Sequence, residues 1–118
     1  MTEINSAQLI EIVNRSFVKE NSAGMNNCVQ LNLAGANGGN WYMTIKNQTL
    51  NIQDGTSEDA NVEINMNAED FLGIIVGELD PLRAFFMGKV KLIGDQSVVI
   101  KMIALFKVSE EDLKLIRG

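Results

Sequence analysis

Between Val29 and Met66 the chain alternates apolar and polar residues four times over, and this pattern restricts the fold more than any other feature. Val29, Leu31 and Leu33 alternate with Gln30 and Asn32, and Trp41, Met43 and Ile45 with Tyr42 and Thr44. Leu50 and Ile52 then alternate with Asn51 and Gln53, and Val62, Ile64 and Met66 with Glu63 and Asn65. Successive side chains of a strand point to opposite faces, so a period of two describes a sheet covered on one side only. Asn37-Gly38-Gly39 reads as a hairpin turn, Asn47-Gln48 separates the second and third runs, and Asp54-Gly55-Thr56-Ser57 reads as a loop. The expectation is an antiparallel meander with one wet face and one covered face.

Helical patterns on either side supply the cover. Asn5 or Ser6 is placed to cap a helix running to about Phe17, with Leu9, Ile10, Val13 and Phe17 on one face. Lys19 to Gly24 reads as a loop. Asn67 is positioned to cap a helix from Ala68 to about Val76, which Gly77 stops. Asp80 and Pro81 open a short helix ended by Gly88, with proline at the first helical position, where its missing N–H costs nothing. Lys89 to Ile93 alternates as a fifth strand. Asp95 caps a helix to about Phe106, and a last helix opens at Ser109 with Leu113 and Ile116 toward the body. The expected class is α+β: one domain over residues 1–118, with a five-stranded, mostly antiparallel sheet and about five helices on one face. Residues 109–118 form a C-terminal helical extension.

Two of these helices are oilier than a covering helix needs to be. An amphipathic helix spends about three residues in seven on its buried face. From Phe71 to Val76 every residue except Gly73 is large and apolar, and from Val98 to Phe106 the only charge is Lys101. Burial on several sides, an oligomer interface and an internal cavity would each account for the surplus.

Several function classes are disfavoured by what the chain lacks. It has no histidine, which removes imidazole-based nucleophile activation and His-based metal sites. The lone Cys28 forms no internal disulfide and builds no thiolate site, so a reducing, cytoplasmic setting is expected. Glu110-Glu111-Asp112 suits the first turn of a helix better than a metal site. No metal, cofactor or catalytic group is expected. The net charge of −5 disfavours general affinity for nucleic acid or acidic membranes. The first residues show no basic patch followed by an apolar run, and no apolar stretch approaches the ~20 residues of a membrane span, so neither a signal peptide nor a transmembrane segment is expected.

One stretch carries a resemblance. Met66-Asn67-Ala68-Glu69-Asp70-Phe71-Leu72, followed by Gly77, Asp80-Pro81, Ala84-Phe85, Gly88-Lys89-Val90-Lys91 and Gly94-Asp95, resembles the sterol carrier protein 2 family, as does the Trp41-to-Lys46 strand. The resemblance implies an apolar tunnel between sheet and helices that holds the tail of a fatty acid, fatty acyl-CoA or sterol without catalysis. It implies a wall drawn from Trp41, Met43, Phe71, Ile75, Phe85, Met102, Ile103 and Phe106. Met43, Met66, Met87 and Met102 suit a cavity that adapts to flexible tails. Lys46, Lys89, Lys91 and Lys101 are the head-group candidates. Vertebrate members carry glutamine where this chain has Ile103 and Phe106, which implies a drier cavity here. The extension resembles the tail of bacterial members; plugging the mouth, pairing with a second copy or protein partner, and simple packing are all open to it. An accessory role in a lipid-modifying or quinone-synthesis assembly is the alternative to carriage.

Overall fold

The computed structural model describes residues 5–117; residues 1–4 and 118, the start of the chain and the last residue of the expected extension, lie outside the described residues. The first helix, α1, spans Ser6–Arg15. Its cap is reciprocal: the Asn5 side chain accepts from the Gln8 N–H at 2.8 Å, while the Gln8 side chain accepts from the Asn5 N–H at 3.0 Å. Leu9, Ile12 and Val13 are its buried residues, so Ile12 takes the place expected of Ile10, which is half-buried. A single 3-10 turn at Lys19–Ser22 occupies the expected loop.

The strands are β1 (Asn26–Ala34), β2 (Gly39–Lys46), β3 (Thr49–Asp54), β4 (Val62–Asn67) and β5 (Val90–Gly94). Their order in the sheet is β3-β2-β1-β4-β5. The meander reading is therefore corrected: β1 pairs with β4 in parallel, and the other three pairings are antiparallel. Alternation reports which face a residue occupies and nothing about which strand lies next to it. After β3 the chain does not turn back on its neighbour. It returns along the polar face of the sheet, where Gln30 holds it. The Gln30 amide donates to the carbonyls of Gly55 (3.0 Å) and Trp41 (3.1 Å), and its oxygen accepts from the Ser57 N–H at 2.8 Å. Only 2% of Gln30 remains exposed, which explains a buried amide on the nominally wet side.

Register places the alternating apolar residues of the five strands on one face, with Ile93, opposite Glu63, on the other. Leu31 sits between Trp41 and Ile64, Val29 between Met43 and Val62, and Ile64 pairs onward with Leu92. Over this floor lie α1, α2 (Ala68–Ile75), α3 (Pro81–Phe86) and α4 (Gln96–Ile103), with α5 (Glu110–Arg117) beyond. Asn67 and Asp80 occupy the cap positions of α2 and α3, but neither side chain makes the capping hydrogen bond; Asp95 does so for α4, accepting from the Ser97 N–H at 3.1 Å. Gly77 and Gly88 follow α2 and α3 with φ of 82° and 78°, the left-handed turn that ends a helix.

Two helix ends differ from expectation for one shared reason. α1 stops at Arg15 and α4 at Ile103, because Phe17 and Phe106 leave helical conformation to form a short antiparallel bridge. The Val18 N–H donates to the Leu105 carbonyl at 2.6 Å and the Lys107 N–H to the Ser16 carbonyl at 2.8 Å, with the two phenyl rings 6.1 Å apart. Among the described residues no helix is long and apolar enough to cross a membrane.

Candidate functional site

The surplus apolar residues of α2 and α4 meet different fates. Leu72 and Ile75 of α2, with Val76 just after it, pack in a satellite cluster with Ile12 of α1 and with Leu113 and Ile116 of α5, while Phe71 and Ile74 face the main core. This helix is sandwiched. On α4, Val98 and Met102 are buried against the core, but Ile100 and Ile103 remain 65% and 44% exposed. Here the oil exceeds the packing.

What lies beside them is a hollow of about 490 Å³ between the sheet and the helices. Leu31, Met43, Ile64, Met66, Val90 and Leu92 of the sheet contribute its floor; Phe71, Ile74 and Ile75 of α2 and Val99, Met102 and Ile103 of α4 contribute to its walls. Val13, Phe106 and Val108 also border it. Apart from Gln96, every side chain in the wall among the described residues is apolar. Its size falls within the roughly 300–1,000 Å³ of small-molecule sites. Leu82 and Phe86 of α3 belong to the wall and yet are 51% and 82% exposed, and Ile100 and Ile103 of α4 are exposed as well, so the hollow opens where α3 and α4 border it. Among the described residues no titratable side chain borders the space. Asp95, next to Gln96, has its carboxyl held below the usual carboxylate range, chiefly by the Ser97 hydroxyl and then by the Ser97 N–H.

Of the wall residues expected from sequence, Met43, Phe71, Ile75, Phe85, Met102, Ile103 and Phe106 border the hollow, and Trp41 does not. Trp41 is buried in the core with its ring over Gly39, where a Cβ would come within 2.6 Å of the indole. Met66 borders the hollow, whereas Met87 is 58% exposed and lies outside it. None of the four lysines is in the wall. Lys46 and Lys101 are exposed, Lys89 pairs with the Asp70 carboxylate at 3.7 Å, and Lys89 and Lys91 border a separate polar depression with Asn32, Asn40 and Asn65. The floor residues Leu31, Ile64 and Leu92, with Ile74 and Val99, went unselected in the sequence; alternation marked the strands' apolar face, but the register that centres those three was not in it.

Leu113 and Ile116 of the extension cluster with Ile12 and Val76, and among the described residues none of the extension borders the hollow. The Ser109 hydroxyl accepts from the Asp112 N–H at 3.1 Å, and the Asp112 carboxylate accepts from the Arg15 Nε at 2.9 Å and also from Nη2. That pairing holds the Asp112 carboxyl below the usual range and raises Arg15 further. α5 is thereby tied to α1, with Val108 just ahead of it reaching the hollow.

A family model, the SCP-2 sterol transfer family, matches residues 7–107 of a chain built in this way. The chain belongs to the SCP-2 sterol transfer family. The family expected from the Met66-to-Asp95 stretch is thus the family found. Hydroxysteroid dehydrogenase-like protein 2 of Bos taurus is 36% identical over 74 residues, covering 62% of this chain and 18% of that protein. The chain spans about a fifth of the length of the curated relatives it matches. Among solved structures, the sec-alkylsulfatase Pisa1 from Pseudomonas sp. superposes with a TM-score of 0.80 at 17% identity, over 91% of this chain and 17% of that one. Palmitated SCP2L2 from Aedes aegypti gives 0.65 at 21% identity, over 86% and 93%. These structural likenesses establish the shared fold.

Proposed function

We propose that this SCP-2 domain binds and carries a lipid by its tail, without catalysing a reaction on it. The observation that supports this reading is the hollow of about 490 Å³ whose wall holds one polar side chain, Gln96. Such a wall recognises hydrocarbon and little else. Each methylene moved out of water contributes about 0.8 kcal/mol, offset by the lost freedom of the tail. A fatty acid or fatty acyl-CoA fits the role, with its head group left in water at the mouth, because among the described residues the wall offers one amide and no cation. The palmitated SCP2L2 of Aedes aegypti has the same fold, which lends weight to an acyl tail as the occupant. Among the described residues the wall presents no nucleophile, acid or base, and carriage and presentation fit it better than turnover. A reducing, cytoplasmic setting suits the half-buried lone thiol of Cys28.

Titration of delipidated protein with a fluorescent fatty acid tests the proposal. Saturable one-to-one binding is expected, displaced by unlabelled palmitate. Absence of saturable binding, with a protein partner co-purifying instead, would replace it with the accessory-module reading.

A further inference from the structure

We infer that the polar face of the sheet carries a second site, for the phosphate ester of a small polyol, on a row of side chains formed by Asn40, Asn32, Asn65 and Lys91. The row follows from register. Asn32 pairs with Asn40 of β2 and with Asn65 of β4, and Asn65 pairs with Lys91 of β5, so four adjacent strands each contribute one residue at the same level. All four lie on the face opposite the hollow, because their neighbours in sequence, such as Leu31, Ile64 and Leu92, form the apolar floor. They line a polar depression of their own. Strands lie about 4.8 Å apart, so the row runs roughly 14 Å, long enough for a six-carbon polyol and its phosphate.

Hydrogen-bond direction says what the row receives. A carboxylate only accepts, so Glu63 orients the amides beside it. The Asn65 amide donates to the Glu63 carboxylate at 3.2 Å, the Asn32 amide to the Asn65 oxygen at 3.0 Å, and the Gln30 amide to the Asn32 oxygen at 3.1 Å. Both asparagine oxygens are thereby engaged, and Asn32 keeps its second N–H for a ligand. At the β5 end Lys91 is exposed and, among the described residues, pairs with no carboxylate, whereas Lys89 already pairs with Asp70 at 3.7 Å. At the β2 end Asn40 is exposed, and its amide, free of protein partners among the described residues, both donates and accepts. A cation and an N–H suit the three acceptor oxygens of a phosphoryl group, and a free amide suits hydroxyls. The sheet separates this row from the hollow, so the ester is a ligand distinct from the lipid on the other face.

Two-dimensional NMR of the isotopically labelled protein, titrated with glucose 6-phosphate, inorganic phosphate and glucose at matched ionic strength, tests this. Saturable shifts of the Asn32 and Asn40 side-chain amides are expected with glucose 6-phosphate, at lower concentration than with inorganic phosphate, and no shifts with glucose over the same range. Lys91→Gln should weaken glucose 6-phosphate binding about fivefold, and Lys91→Arg should preserve it. Asn32→Asp, which exchanges the N–H for a negative oxygen, should weaken it about tenfold or more. Neither side chain borders the hollow, so fluorescent fatty acid binding should be unchanged and reports that the variants are folded. Shifts that do not saturate, affinity for glucose 6-phosphate no better than for inorganic phosphate, or Lys91→Gln binding as tightly as the unaltered protein overturns the proposal.

Discussion

A methyl group added at Gly94 would lie 2.5 Å from the Asn61 carbonyl oxygen, and the residue's φ of 107° is one that side chains rarely adopt. Gly94 closes β5 opposite Val62, at the point where the chain leaves the sheet for α4. Gly94→Ala is expected to destabilise the protein by about 1–3 kcal/mol, read as a lowered denaturation midpoint in urea at unchanged slope. At this scale the sequence was informative about type and poor about partners. Gly88 and Gly94 were legible as turn residues, because few residues other than glycine accept their dihedrals. Trp41 and Met43 were indistinguishable, since both lie on the same strand face; only register and the bare Cα of Gly39 send the indole to the core and leave the thioether at the hollow. The lysines were unreadable for another reason: a long charged side chain reaches solvent from almost any surface position.

At the scale of elements, α4 and α5 invite separate tests. Val99 of α4 is half-buried in the wall, so Val99→Trp fills part of the space a tail would occupy. Fatty acid affinity should fall at least about tenfold, equivalent to roughly two displaced methylenes, while the circular dichroism spectrum stays the same. α5 is held through the Arg15–Asp112 pair, and the Asp112 carboxyl is depressed below the usual ~3.9. In the unfolded chain that carboxyl takes up its proton at higher pH than in the native state. The pair's contribution is therefore complete above about pH 4 and is lost as pH falls through the lower native value. Asp112→Asn should melt at lower temperature than the unaltered protein at neutral pH, and the gap should shrink on acidification; a gap independent of pH would remove the ion pair from the account. Sequence anticipated each helix through its cap or stop, and misjudged the lengths of α1 and α4. Helical periodicity runs on through Phe17 and Phe106, and only the tertiary bridge between them, far apart in sequence, ends both.

Taken whole, the molecule is an apolar floor roofed by helices that do not quite meet, and the opening is what makes the hollow usable. For saturated fatty acids of increasing length, affinity should rise up to about fourfold per added methylene and level off once the hollow is full, as followed by displacement of a fluorescent probe. A flat dependence on length would place binding at the head group instead. The α+β class and the sheet's mostly antiparallel character were legible because alternation, caps and turns agree with one another. Strand order was not, because the return of the chain under Gln30 leaves no periodic trace. That return also sets the order of events as the polypeptide matures. β1, β2 and β3 are joined by short turns and zip together early, whereas the central seam waits for residues as distant as Val29 and Val62 to find each other. During that wait the hairpins have α1 alone to cover their greasy side, so a chaperone that shields such sheets is expected to act on this protein before α2, α3 and α4 dock, and not after.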